Sequence, residues 1–286
     1  MHHVRVCGAI ALALALSAAP AQAAKQQKVD IKFAAVAGEE PVACGTPIPG
    51  LGSTAQAAQL QDLRFFVSDV KLIRRGGKLV PVNLAKNSAF RITRDGVGVT
   101  LIDLENGTGS CAVDGDAAMN AVVRGTVPKG NYVGVRWTVG VPFALNHTDA
   151  PAVPAPLNSA AMAWSWQAGR KFTKIEFADP GGATGSWTAK SFFVHLGSAG
   201  CQGNPATGAT VSCAASNRPN VRLKQFDPAE QQVAVDVQAM LAGNDITVNK
   251  GNAPGCMSGP TDPECAGVFA AFGLTAKQTV FKAIDR

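Results

Sequence analysis

Long apolar runs are absent from this sequence after its first twenty or so residues. Nothing further along reaches about 18 uninterrupted apolar residues, so no membrane span is expected. Aromatic surface is sparse, with four tryptophans and one tyrosine. Arg74–Arg75 is the sole pair of adjacent arginines, so the chain lacks both the basic cluster and the stacking pattern of a nucleic-acid-binding module. No G-x-S-x-G elbow, phosphate loop or dinucleotide fingerprint occurs, and "GSAGC" at 197–201 lacks the elbow form. The sequence therefore offers no recognisable catalytic machinery, and no enzymatic turnover is expected. Histidine is scarcer still. There are four, and His2 and His3 take two of them.

The N-terminus explains the one apolar run that does exist. "MHHVRVCGAIALALALSAAPAQA" has Arg5 in a short leading region, an apolar run from Cys7 to Ala19, and a small-residue ending at Ala23. These are the parts of a secretory signal peptide over residues 1–23, which predicts a periplasmic or otherwise exported protein. Residues 24–286 then form the mature chain, read as a single domain because no linker or repeat divides it. Losing Arg5 takes the net charge from +6 to +5, a mildly basic balance that favours solubility or an acidic partner.

Six cysteines remain after residue 23: Cys44, Cys111, Cys201, Cys213, Cys256 and Cys265. An even count in an exported chain predicts three disulfides, although six cysteines allow 15 connectivities. Closeness in sequence favours Cys201–Cys213 and Cys256–Cys265, which leaves Cys44 with Cys111. Thiolate coordination is the rival reading, and the absence of any C-x-x-C pattern together with an oxidising compartment counts against it.

Short segments with period-two or β-branched character dominate the rest: residues 29–36, 62–73, 78–84, 97–104, 120–128, 131–143, 171–177, 190–197, 220–226 and 231–237. Turn signals such as "RRGGK", "ENGTG" and "PKGN" separate them. Helical periodicity is confined to Val237–Ala242 and residues 266–274. The expected fold is all-β, an antiparallel β-sandwich or distorted barrel, stapled by disulfides and carrying few short helices. In "SFFVHLG" the alternation sets Phe193 and His195 on one face and Phe192, Val194 and Leu196 on the other. An extended "MAWSWQ" would set Met162, Trp164 and Trp166 on one side.

His147 and His195 are the two histidines of the mature chain, and Met162 offers a thioether. Imidazole and thioether donors are neutral and soft, which suits Cu(I). Zinc usually wants a fourth donor, and Asp149 keeps that alternative open. The bland alternative is a loop histidine and a buried, hydrogen-bonded one. Asp69 in "VSDV" and Asp103 in "LIDL" offer a carboxylate pair for glycoside chemistry, although such residues more often cap turns or meet an arginine.

The ordered segments "DLRFFVSDVKLI", "GVPFALNHTDA", "MAWSWQAGRKF", "VHLGSAGC", "SCAASNRPNVRL" and "GCMSGPTDPEC" resemble the MbnP-like copper-binding family, also described as the four-Cys member of the metallo-mystery pair. The resemblance spans roughly residues 28–282. It implies an exported protein that holds one copper as Cu(I). It implies dependence on oxidation of the first tryptophan of a W-x-W motif, here Trp164, to kynurenine. The partner it implies is a di-haem protein of the cytochrome c peroxidase/MauG-like group, with Trp166 as a relay or a partner-facing residue. On that reading Trp166 or Arg170 should be partly exposed. The chain departs from the family pattern at Ala163, where an aromatic is common, and at Arg170, where tyrosine is common. The competing function is an exported recognition module, with Trp164, Trp166 and Trp187 forming an aromatic platform for a sugar or peptide.

Overall fold

Alternating burial along "KVDIKFAAV" gives the strand Gln26–Ala37, whose Val29, Ile31 and Phe33 point inward. The computed structural model describes residues 1–2, 24–165, 168–204 and 209–286. The expected signal peptide over 1–23 falls almost wholly outside the described residues. No helix among them is long and apolar enough to cross a membrane.

Strands dominate, in two principal sheets. In the first, Gln26–Ala37 lies between Gln231–Asp236 and Val122–Pro128, with Phe281–Asp285 beyond Gln231–Asp236. The second is built on Gln56–Arg74, a 19-residue strand. That strand pairs with Tyr132–Val139, Thr173–Ala178, Val97–Asp103 and shorter segments, and Ser191–Val194 continues the sheet beyond Thr173–Ala178. The sheets face each other through aromatic rings: Phe33 meets Phe65 and Trp137, each at 5.7 Å, and Phe281 meets Trp137 at 5.4 Å. These edge-to-face contacts form the sandwich core.

All ten predicted segments contain strands, and the two predicted helices appear as Val237–Leu241 and Cys265–Phe272. The barrel alternative is not realised among the described residues. The pairing is also not wholly antiparallel. Gln26–Ala37 runs parallel to Gln231–Asp236, and Ser191–Val194 runs parallel to Gly255–Cys256. Parallel neighbours need long crossovers, and residues some 200 positions apart meet here, a pairing that local periodicity cannot report. The disulfides join Cys44–Cys111, Cys201–Cys213 and Cys256–Cys265, the pairing that sequence proximity favoured.

The outer face of the second sheet decides where the chemistry lies. Register places Lys174 beside Arg64, and Asp103 on the other side of Arg64. Glu176 lies beside Asp62 and Phe193 beside Glu176. Period-two alternation therefore collects charged residues into two rows crossing the sheet, while Leu63, Phe65 and Ile175 point into the core.

Candidate metal centre

His147 ends a short helix, Phe143–Asn146, that begins after Pro142. Its ring lies 4.6 Å from the Phe143 ring. Its Nε2 is 3.1 Å from Asn146 Nδ2 and 3.5 Å from Cys213 Sγ. The loop carrying it is anchored by Arg170. This guanidinium is 2% exposed and donates to the carbonyls of Leu157, Leu145 and Thr148 at 2.8, 2.8 and 3.1 Å, and also to Asn146 O. Asn146 Oδ1 in turn accepts from Arg170 N at 2.9 Å. Burial pushes the Arg170 pKa down to about 10, with Asp149 acting the other way, so the group is still a cation at neutral pH. Arg170 is thus not the exposed member of the expected Trp166-or-Arg170 pair, and Trp166 lies outside the described residues. Four carbonyls turned inward by the loop need a donor with several N–H groups, and guanidinium has five.

His195 sits one residue past the strand Ser191–Val194 and keeps its phase. Its ring stacks on Phe193 at 5.2 Å and 7°, as the alternation predicts. Phe192, Val194 and Leu196 are buried on the opposite face. His195 Nε2 lies 2.7 Å from Glu176 Oε1, and Glu176 Oε2 lies 2.9 Å from Lys174 Nζ. Burial works against the Glu176 anion, but the His195 N–H and the Lys174 ammonium outweigh it and hold the carboxyl below its ordinary value. The His195 pKa is lowered, chiefly by burial, with Glu176 opposing. A neutral ring that gives its Nε2 proton to Glu176 presents a lone pair at Nδ1, the tautomer assigned from this network. Metal-ligating histidines are commonly held by a carboxylate in this way.

Trp164, in the short strand Ala163–Ser165, neighbours both histidines. Its indole meets the His195 ring edge-to-face at 6.3 Å and 82°. On another side it shares a cavity of about 720 Å³ with His147, Asp149 and Gly169. A second cavity of about 290 Å³, lined by Ser198, Cys201 and Met257, also borders it. Gly197 makes the packing feasible, because a Cβ there would stand 2.9 Å from Trp164 Cε3. Gly169 does the same for Asn146, with φ +83° and a virtual Cβ 2.6 Å from Asn146 O.

The structure thus brings His147, His195 and Trp164 into one neighbourhood. Met162 is fully buried in the apolar core, in the turn before Ala163–Ser165, and is not among the residues lining the Trp164 cavities. Trp166 lies outside the described residues. Trp187 is 2% exposed, so it cannot belong to an aromatic platform with Trp164. His147 Nε2 approaches Cys213, but both neighbouring cysteines are spent in the Cys201–Cys213 disulfide, so no thiolate is on offer. Asp69 and Asp103 do not pair. Asp103 aligns with Arg64, and Asp69 lies five residues further along the strand, roughly 16 Å away at ~3.3 Å per residue. Sequence reasoning missed Glu176 and the anchoring role of Arg170. The Lys-x-Glu alternation in "KFTKIEF" places Glu176 on the outer face of a half-buried strand, an ordinary pattern that gives no sign of its partner His195.

A family model described as MbnP matches residues 26–258. Among solved structures, MbnP from Methylosinus trichosporium is similar at 32% identity with a TM-score of 0.77, over 91% of this chain and 99% of that one. A comparison with curated proteins finds no match.

Proposed function

The chain belongs to the MbnP family, and on that premise we propose that it is an exported copper-binding protein that holds one Cu(I) beside Trp164 and performs no turnover itself. The observation that carries this reading is the meeting of the two mature histidines at one tryptophan: His195 edge-to-face at 6.3 Å, His147 across a shared cavity. The donor set fits the ion. Both imidazoles can be neutral ligands, His195 has a carboxylate behind its far nitrogen, and the sulfurs nearby are oxidised. His147 and His195 would supply the nitrogen donors, and Met162, buried in the apolar core, is a candidate the site does not require.

Trp164 is the residue we assign to oxidative modification. With peroxide as oxidant, two equivalents add two oxygens across the indole C2–C3 bond, which breaks, and leave as two waters. Water then removes the formyl group as formate, leaving kynurenine. The oxidising partner is a di-haem protein of the cytochrome c peroxidase/MauG-like group. Kynurenine offers an aniline nitrogen and a ketone oxygen where indole offers no good donor. The cavities on two sides of Trp164 leave room for that more polar side chain. Copper homeostasis is the role this chemistry serves.

Trp164→Phe, co-expressed with the partner, tests the reading. Wild-type protein should gain about 4 Da by intact mass and bind one copper. The variant should show neither change, with its disulfides and fold intact. Tight binding of one Cu(I) by Trp164→Phe would show that the two histidines suffice without modification. His147→Ala and His195→Ala should each lose the copper, whereas Met162→Leu conserves volume and should keep it.

A further inference from the structure

A second concentration of ligand atoms lies at the other end of the charged rows, around Asp103. Asp103 ends the strand Val97–Asp103 and is 1% exposed. Its backbone is satisfied by Asn120, with N–O distances of 2.9 and 3.0 Å in the two directions. Neither oxygen of its carboxylate has a hydrogen-bond partner. Glu105, also 1% exposed, accepts from Gly107 N at 2.7 Å and Asp116 N at 2.8 Å. Asp116 meets Arg64 at 3.2 Å and accepts from Ala118 N at 2.8 Å. One oxygen from each of the three carboxylates falls within 4.8 Å of the others.

Charge is not balanced here. Arg64, the nearest cation, is forked onto Asp62 and also donates to Asp116 and to Asp114 O. Lys174 is held by Asp62 and Glu176. Five carboxylates (Asp62, Asp103, Glu105, Asp116, Glu176) thus share two permanent cations. A buried carboxylate with no donor requires either a proton or a cation.

The loop is fixed around this point. Cys111 is tied to Cys44, and Gly115 passes so close to Glu105 that a Cβ would collide with its carboxylate and lie 2.8 Å from Cys111 O. The Cys44 and Cys111 sulfurs approach Glu105 but are disulfide-bonded, which leaves oxygen as the donor. All-oxygen carboxylate sets suit hard cations. Calcium takes ~6–8 oxygens at ~2.3–2.6 Å in irregular geometry, with carboxylates binding through one oxygen or both, whereas magnesium demands a near-octahedral shell and retains waters. Two almost fully buried carboxylates leave little room for such waters.

We propose that Asp103, Glu105 and Asp116 form a site for one hard divalent cation of calcium's size, distinct from the copper centre and tying the loop 105–116 to the end of the strand Val97–Asp103.

The test is equilibrium dialysis of the chelator-stripped full mature protein against calcium chloride, with thermal unfolding in parallel. Wild-type protein should take up one calcium per chain with Kd of about 10⁻³ M or tighter, as extracellular calcium sites do. Its Tm should rise by about 5 °C at saturation. Asp103→Asn should abolish both effects. Asp116 is half exposed, so Asp116→Asn leaves the core intact and should weaken calcium binding at least ~tenfold through loss of one anionic ligand. No uptake by the wild type at about 10 mM calcium would overturn the proposal and leave Asp103 as a protonated acid. Undiminished binding by Asp116→Asn, or equal binding of magnesium, would also overturn it. The copper reading stands or falls separately, because no part of it passes through these carboxylates.

Discussion

The two ends of the outer face of the larger sheet differ in chemistry although one ladder of charges joins them. At one end are two imidazoles and an indole. At the other are three carboxylates, and Glu176, Lys174, Asp62 and Arg64 link them in sequence. Each end leans on a disulfide, Cys201–Cys213 beside His147 and Cys44–Cys111 beside Glu105. Neutral nitrogen donors suit copper and other borderline ions, whereas carboxylate oxygens suit hard cations. The comparison teaches that what a position can bind depends on how its neighbours leave its charge. Glu176 has two donors and can orient His195, while Asp103, with none, is left requiring a proton or a cation.

Removing Arg170 should break the nitrogen end most severely. Arg170→Ala takes the guanidinium from four inward carbonyls, of which Leu145 O keeps Thr148 Oγ1 as a donor, at a cost of about 3–5 kcal/mol by chemical denaturation. Copper retention should fall with it, because the His147 loop loses its anchor, while calcium uptake at the far end should be unchanged in protein that folds. Unchanged stability would mean that water replaces the guanidinium and that the loop is held by other contacts.

Glu176→Gln sharpens the comparison at the junction. The amide can still accept from His195, but it removes the negative charge behind the imidazole and one partner of Lys174. Copper affinity should drop about 10–100-fold, the usual effect of losing such a carboxylate. A competition titration with a Cu(I) chelator measures it. No change would show that His195 is oriented by its stack on Phe193 instead.

A carboxylate outside both ends sets the scale. Asp236 caps the helix Val237–Leu241 through Gln238 N and Ala239 N and accepts from Lys282 at 2.8 Å. Burial opposes its charge, but Lys282 and the backbone donors prevail and hold its pKa below the ordinary value of 3.8. Asp236→Ala should cost about 1 kcal/mol. With the folded pKa depressed, that contribution is fully present above pH 3.8 and disappears as pH falls through the folded value. Thermal unfolding of wild type and variant should therefore converge in acid, and neither copper nor calcium binding should move.

Each segment picked out by period-two patterning contains a strand, because alternation is a local property with a physical cause, one face in the core and one outside. Ala199–Asn204, Ala209–Ala215 and Phe281–Asp285 escaped it. The patterning also placed Phe193 and His195 on one face. The same reasoning could not find the parallel contacts or the function of Arg170. In sequence Arg170 reads as a surface cation next to Lys171, and only a loop folded over it supplies carbonyl acceptors. "TKIEF" alternates charged and apolar residues as any half-buried strand does, which does not reveal the partners of the charged ones.

By itself, the sequence determined ten of the strand-bearing segments and the two segments that carry the histidines, and it favoured the disulfide pairing, since these follow from local alternation, residue scarcity and cysteine spacing. Tertiary structure alone decided which of the charged residues are satisfied. Asp62, Asp103 and Glu176 all sit in strands, and nothing in their local sequences separates them. Cross-strand register gave Asp62 an arginine and a lysine, and gave Glu176 a histidine and a lysine. It gave Asp103 the same Arg64 as its neighbour, with the guanidinium already turned toward Asp62. Burial removed the water that would have made this difference negligible.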